Sequence, residues 1–349
     1  NSNLKNLIKM FKNKTILVTG GTGSFGRALV ANIISKHPNF KKLIIFSRDE
    51  LKQQEMMQNK IYSHKNVRMI LGDIRDFRSI KRALQTVDII IHAAALKQVP
   101  TAEYNPFQFI QTNVLGSQNV IEAALDTNVS QVIALSTDKA SSPINLYGAT
   151  KLCLEKLFIS ANNIKGKKNI NFSVVRYGNV IGSRGSVIPL FIKKFKNKES
   201  LPVTDTRMTR FNISLEQAIN LVYNSLKYSR EGEIFVPKIP SFKIIDLVKA
   251  ITKKDKFKII GMRPGEKLHE ELISVYEGYS SVEFNKYYAI LSTNDKKKIS
   301  KYCKKRKAKK VPNGFCYTSD KNSTFFDIEN LRKIIKKEFA NMIDAKFIS

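Results

Sequence analysis

One stretch near the start of the chain limits the possible folds more than any other. Thr15-Ile16-Leu17-Val18 reads as a buried strand that runs directly into Thr19-Gly20-Gly21-Thr22-Gly23-Ser24-Phe25-Gly26 and then a helix. Gly20, Gly23 and Gly26 recur every third residue. Glycines at that spacing let the chain turn tightly and let backbone N–H groups at the helix start, with Thr22, Ser24 and Phe25 among them, approach a pyrophosphate.

Strand and helix then alternate. Leu43-Ile44-Ile45-Phe46, Val67-Arg68-Met69-Ile70-Leu71, Val87-Asp88-Ile89-Ile90-Ile91 and Val132-Ile133-Ala134-Leu135 read as further buried strands, with a helix over about 107–127 that carries Asn113. The pattern predicts an α/β fold built on a doubly wound parallel sheet of Rossmann type.

The strand ends carry polar residues. The second strand ends in Ser47-Arg48-Asp49, with Lys52 a turn later. An acid directly at that point suits a free ribose hydroxyl; a hydroxyl and a guanidinium suit a 2′-phosphate, so NADP is expected over NAD. The alternative is that Arg48 pairs with Asp49 or Glu50. After the third strand, Asp73 can accept from an adenine amino group with Ile74 packed on the ring. After the fourth, Ala93-Ala94-Ala95 are small enough for a flat cofactor to lie on the backbone, and Lys97 beyond them meets phosphate, substrate or solvent.

The fifth strand leads into Ser136-Thr137-Asp138-Lys139, and Tyr147-Gly148-Ala149-Thr150-Lys151 opens the next helix. In an open α/β sheet, ligands bind at this carboxyl edge. Tyr147 and Lys151 are four apart and share a helix face. A lysine so placed can lower the phenol's pKa and make the tyrosine a base.

Farther on, a strand over 172–176 ends in Tyr177-Gly178-Asn179-Val180. Three separate loops then present Arg184, Arg210 and Arg263, and arginines from distant loops suit a diphosphate. Residues 1–180 are expected to form the NADP-binding domain, with core elements returning near 205–240, and 181–349 mainly a smaller α/β substrate domain. A chain of 349 residues can hold both.

Charge and composition narrow the function. The net charge is +31, but it comes from 46 Lys against 14 Arg. Base reading and bidentate phosphate binding favour Arg, so a compositional bias on solvated faces is expected rather than a nucleic-acid partner. No apolar run reaches the ~18 residues of a membrane span, and no signal peptide is visible. The cysteines (Cys153, Cys303, Cys316) are odd in number and scattered, which suits a reduced cytoplasm. Neither they nor His37, His64, His92 and His269 show metal-ligand spacing. Residues 1–13, with Leu4, Leu7, Ile8 and Phe11 at helical spacing, suggest a short docked helix; the basic run over 296–310 suggests a solvated loop or strand edge; and 327–339 suggests an amphipathic helix.

These motifs carry a resemblance. TGGTGSFG (19–26), SRDELKQ (47–53), HAAALK (92–97), ALSTDKA (134–140), NLYGATKL (145–152), RYGNVIGSRGSV (176–187), TDTRMTRF (204–211) and RPGEKLHE (263–270) run in order across nearly the whole chain. The chain resembles the extended short-chain dehydrogenases/reductases of the nucleotide-sugar class, and within them the inverting 4,6-dehydratases that open pseudaminic acid biosynthesis. The glycine motif and Tyr-x-x-x-Lys point only to the superfamily; Asp138-Lys139 and RPGEKLHE are more specific. The resemblance implies NADP, UDP-N-acetylglucosamine as substrate and a 6-deoxy-4-keto-L-sugar nucleotide as product. It places Tyr147, helped by Lys151, as base for the sugar 4-hydroxyl, which Thr137 holds. It places Lys139 as C5 base, with a pKa expected to be depressed by burial beside other cations, and Asp138 as acid for the departing C6 hydroxyl. Lys97, Asn179, Arg184, Thr204, Arg210, Arg263 and Glu266 would hold the nucleotide sugar. It also implies a homo-oligomer formed through helices near 107–127 and 146–162. A retaining 4,6-dehydratase or a 4-epimerase remains the alternative, and an epimerase would not need Asp138 and Lys139. The chain departs from the family word at Asn212, where a tryptophan follows Arg-Phe, and it has no tryptophan.

Overall fold

The apolar runs become strands of one ten-stranded sheet. The computed structural model describes residues 10–182, 186–252 and 256–343. Strands β1 (Thr15–Thr19), β2 (Lys42–Ser47), β3 (Val67–Leu71), β4 (Ile89–His92), β5 (Gln131–Thr137) and β6 (Asn171–Tyr177) lie in the order β3-β2-β1-β4-β5-β6. All these pairings are parallel. The chain moves outward from β1 to β3 and then returns to β4 on the other side of β1. The order reverses there, opening a crevice at the strands' carboxyl ends. Helices Ser24–Lys36, Gly116–Leu125, Leu146–Ile164 and Leu215–Tyr228 bury apolar faces in the same core cluster as the strands.

The second half of the chain both leaves this sheet and extends it. β7 (Asn179–Val180), β8 (Leu201–Val203) and β9 (Thr209–Ile213) lie outside it, and β10 (Ile234–Pro237) joins it parallel to β6. β11 (Ser241–Lys243) pairs with β9, and β12 (Phe257–Ile259) with β8. β13 (Glu271–Ile273) lies in a separate small sheet, while β14 (Ser281–Glu283), β15 (Tyr287–Ile290) and β16 (Lys309–Lys310) extend the main sheet antiparallel. β17 (Tyr317–Thr318) pairs with β13. Helices Val187–Lys196, Ile244–Thr252 and Ile328–Glu338 close a second core around Phe191, Leu247 and Leu331. The last of these is the expected amphipathic tail helix, capped by Asp327.

Two local expectations change, and a third lies mostly outside the described residues. The helix over about 107–127 is interrupted: Pro106–Phe109 leads into a π-helical turn, Ile110–Leu115, before Gly116–Leu125. Asn113 sits in that turn and holds both backbone groups of Leu96 (2.8 and 2.9 Å) and the Thr150 hydroxyl (3.0 Å). Second, the basic run is not a loop. Lys296–Arg306 is a helix capped by Asp295, and only Lys309–Lys310 is a strand edge. Ile299 and Tyr302, three apart, bury one face against Val282, Ala289 and Leu291, a short apolar stripe hidden among lysines. Third, the helix expected over 1–13 lies mostly outside the described residues; within them, Phe11 is fully buried.

Candidate active site

The crevice widens into a cavity of about 750 Å³. One wall begins at the glycine turn. Gly20 has φ +63°, and a Cβ there would stand 2.8 Å from the Ala94 backbone, so only glycine lets β1 and β4 end side by side. Gly20, Thr22, Gly23, Ser24, Phe25, Gly26, Ser47, Arg48, Asp73, Ile74, Ala93, Ala94 and Ala95 all line the cavity. Thr22 and Ser47 share a hydroxyl hydrogen bond of 2.9 Å. Arg48 pairs with neither expected neighbour in sequence; its guanidinium lies 3.8 Å from Asp73, which also holds Arg75 at 2.6 Å. Asp49 instead caps the helix Glu50–Gln58 and pairs with Lys52.

A buried hydrogen-bond chain fixes the end of β4. The Thr19 hydroxyl accepts from Ala93 and Ala94 N–H (3.1 and 3.2 Å), so its own hydrogen goes to His92 Nδ1 at 2.8 Å. His92 Nε2 therefore carries the proton and donates to Ser117 Oγ at 3.1 Å. Burial, with the nearby Lys151 charge, pushes His92 down to about 3 and keeps it neutral.

The reacting groups gather where β5 ends. A short 3₁₀ turn over Asp138–Ala140 follows the strand, and Asn145 caps the helix that carries Tyr147 and Lys151. Gly148 joins the two pieces: a Cβ there would lie 2.2 Å from the Lys139 carbonyl oxygen. Thr137, Lys139, Tyr147 and Lys151 line the cavity, whereas Asp138 lies just behind its wall, wholly buried. Asp138 Oδ1 accepts from Thr137 Oγ1 (2.8 Å) and Lys139 Nζ (3.0 Å).

Two electrostatic expectations are corrected. Burial pulls the Lys139 amine down, but Asp138 and Glu270, the latter 3.3 Å away, outweigh it and hold the amine above its ordinary value as an ammonium. Burial pushes Tyr147 up to about 12, and the cation opposing that rise is Lys139, not Lys151. Lys151 Nζ donates to the Leu135 carbonyl at 2.7 Å, and burial lowers it to about 8.

Across the cavity stand Lys97, Asn179, Thr204, Arg210, Arg263 and Glu266. Arg210 comes from β9 rather than a loop, and Arg184 lies outside the described residues. Arg210 and Arg263 meet at Glu266, with N···O distances of 3.4 and 3.7 Å. Strand period puts Asn212 on the Arg210 side of β9, and it too lines the cavity, in place of the family's tryptophan. Glu270 was not singled out from the sequence. It is the last residue of RPGEKLHE, 4 % exposed and paired with Lys139 and Arg210. Its place at the end of the most specific motif was the available signal. Among the described residues, no cluster of His, Cys, Asp and Glu could hold a metal ion.

Known proteins share this architecture. The family model described as "Polysaccharide biosynthesis protein" matches residues 16–292. An inverting UDP-N-acetylglucosamine 4,6-dehydratase from Campylobacter jejuni subsp. jejuni (serotype O:23/36, strain 81-176) is 49% identical, covering 93% of this chain and 98% of that protein. A UDP-glucose 4-epimerase from Rickettsia canadensis (strain McKiel) is 43% identical over 80% of this chain and 84% of its own. The X-ray structure of Pen from Bacillus thuringiensis superposes with a TM-score of 0.84 at 36% identity, covering 94% of this chain and 99% of that one.

Proposed function

The chain belongs to the polysaccharide biosynthesis protein family, within the extended short-chain dehydrogenases/reductases, and we propose that it removes water across C5 and C6 of UDP-N-acetylglucosamine with inversion at C5. The observation that carries this reading is the ion pair of the buried Asp138 with the half-buried Lys139, beside Tyr147 at the cavity wall. A 4-epimerase needs the tyrosine but has no use for an acid and an amine beside it. The 49%-identical dehydratase supports the same choice.

The glycine turn, Ser47, Arg48, Asp73, Ile74 and Ala93–Ala95 fit a nicotinamide dinucleotide. Ser47, Arg48 and Lys52 beside a committed Asp49 favour NADP. When bound, the nicotinamide would take the C4 hydride and give it back to C6, after which C5 takes a proton on the face opposite the one it lost, which inverts that centre. Tyr147 takes the proton of the 4-hydroxyl, which Thr137 holds. A ketone at C4 makes the C5 proton acidic, and Lys139 removes it. Because the site holds Lys139 as an ammonium, that step gains as pH rises and the amine loses its proton. Asp138 protonates the departing C6 hydroxyl. Lys97, Asn179, Thr204, Arg210, Arg263 and Glu266, with Arg184, hold the nucleotide sugar, so residues 181–349 serve mainly the substrate. The product is UDP-2-acetamido-2,6-dideoxy-β-L-arabino-hex-4-ulose, the first intermediate on the way to pseudaminic acid.

Exposed Phe107 and Leu115 near the Gly116–Leu125 helix support assembly as a homo-oligomer. Among the described residues no helix is long and apolar enough to cross a membrane, and we place the enzyme in the cytoplasm. Mass spectrometry of UDP-N-acetylglucosamine after incubation tests the reaction. A product lighter by one water is expected; a product of unchanged mass would point to the epimerase. Arg48→Ala should weaken NADP more than NAD in a binding titration.

A further inference from the structure

Two buried carboxylates share the Lys139 ammonium. Asp138 is 0 % and Glu270 4 % exposed, and they approach Nζ at 3.0 and 3.3 Å. Two carboxylates this close to one cation, out of water, do not both ionise readily. Their surroundings decide which keeps the proton. Glu270 has a second cation, the Arg210 guanidinium at 3.7 Å, and lies in the field of Lys267. Asp138 has no second ion pair among the described residues: its Oδ1 is occupied by Thr137 and Lys139, and its Oδ2 is buried without a partner beside Gly178. Glu270 Oε2 is buried and unpartnered too, so the second cation separates the pair: an orphaned carboxyl oxygen costs more as an anion than as a neutral acid, and only Glu270 has the Arg210 guanidinium to offset that charge.

We propose that Glu270 is the positioning residue that keeps Asp138 a neutral acid, by taking over as counter-charge to Lys139 and so leaving the proton on Asp138. The inference rests on the dehydratase reading for its use, but not for its test. In use, the Asp138 O–H bond breaks and its proton goes to the C6 oxygen as the C6–O bond breaks. The electron pair left at C5 forms the C5–C6 double bond, and water leaves. Lys139, carrying the C5 proton 3.0 Å away, returns a proton to Asp138. Burial and the Glu270 charge raise Asp138, while Lys139, Arg210 and Lys267 bring Glu270 below its ordinary value. Opposite shifts in a carboxylate pair separate an acid from an anion. Among the described residues, the other charged or titratable groups facing Asp138 are Tyr147 from its helix and Lys267 from the loop before β13.

The test is carboxyl ¹³C NMR of protein labelled at aspartate, with the Asp138 signal assigned by its loss in Asp138→Asn. In the native protein Asp138 should remain protonated at neutral pH. In Glu270→Gln its midpoint should fall by about one pH unit or more, and the alkaline limb of the dehydration profile should move acidward with it. Glu270→Asp, which keeps the charge, should leave both midpoints near native and serves if the glutamine variant does not fold. An Asp138 ionised at neutral pH in the native protein would overturn the inference. So would a midpoint unmoved in Glu270→Gln, or one moved equally in Glu270→Asp. Native protein that forms no dehydrated product would overturn the dehydratase reading instead, and the Asp138 midpoints would still decide whether Glu270 holds its proton in place.

Discussion

Two ionic clusters are buried along one edge of the sheet, and they are finished differently. Arg176, at the end of β6, is 0 % exposed. It grips Glu155 through Nε (2.8 Å) and Nη2, reaches Glu277 at 2.7 and 2.9 Å, and donates to the Leu272 carbonyl at 2.9 Å. None of these side chains has a buried polar atom without a partner. Asp138 and Lys139, at the end of the neighbouring β5, form the second cluster with Glu270, which precedes β13. There, Asp138 Oδ2 and Glu270 Oε2 are buried and unpartnered. Native proteins rarely leave such groups unpaired without a reason in their chemistry. The completed cluster ties β6 to the Leu146–Ile164 helix and to the chain around β13. The unfinished one borders the cavity and keeps capacity to hold or release a proton.

If that contrast is right, substitutions should separate activity from stability. Lys139→Ala should lower dehydration by about 10²–10⁴-fold while urea denaturation shows a much smaller loss and NADP stays bound. Normal turnover by this variant would remove Lys139 from the role of base. Arg176→Met should do the reverse. It leaves Glu155 and Glu277 without their cation and should cost about 3–5 kcal/mol of unfolding free energy. Gly148→Ala should cost about 1–3 kcal/mol. It should also lower turnover, because the Lys139 carbonyl must move away from the new Cβ. The smallest effect is acid sensitivity. Burial raises Glu277, but Arg176 and the Ser274 hydrogen bonds outweigh it and hold the carboxyl down at about 2. A depressed carboxylate stabilises the fold above its unfolded pKa near 4.5 and loses that contribution as pH falls toward 2. About 1–2 kcal/mol should disappear across that window in the native protein, allowing for partial exposure, and not in Glu277→Gln.

The sequence made the first cluster invisible and the second half visible. Arg176 lies inside RYGNV and reads as one more strand residue, since its partners are 21 and 101 positions away. Asp138, Lys139, Tyr147 and Lys151 are close in sequence, and a strand followed by a helix is enough to bring them together. The parallel sheet was legible for the same reason: apolar runs such as Ile89-Ile90-Ile91 are buried on both faces. Protonation was not legible. Lys139 was expected to have a depressed pKa; the adjacent Asp138, joined by Glu270 from 131 residues away, reverses that. The basic helix at Lys296–Arg306 was missed because its apolar stripe is two residues long.

The measurement that bears most directly on the unfinished cluster is proton NMR of UDP-N-acetylglucosamine turned over in deuterated water. The predicted product has a C6 methyl group, a C4 ketone, deuterium at C5 and an L-configured ring. A product that keeps its C6 hydroxymethyl group and its C5 proton, inverted only at C4, would contradict the account and leave Asp138 and Lys139 without their chemistry.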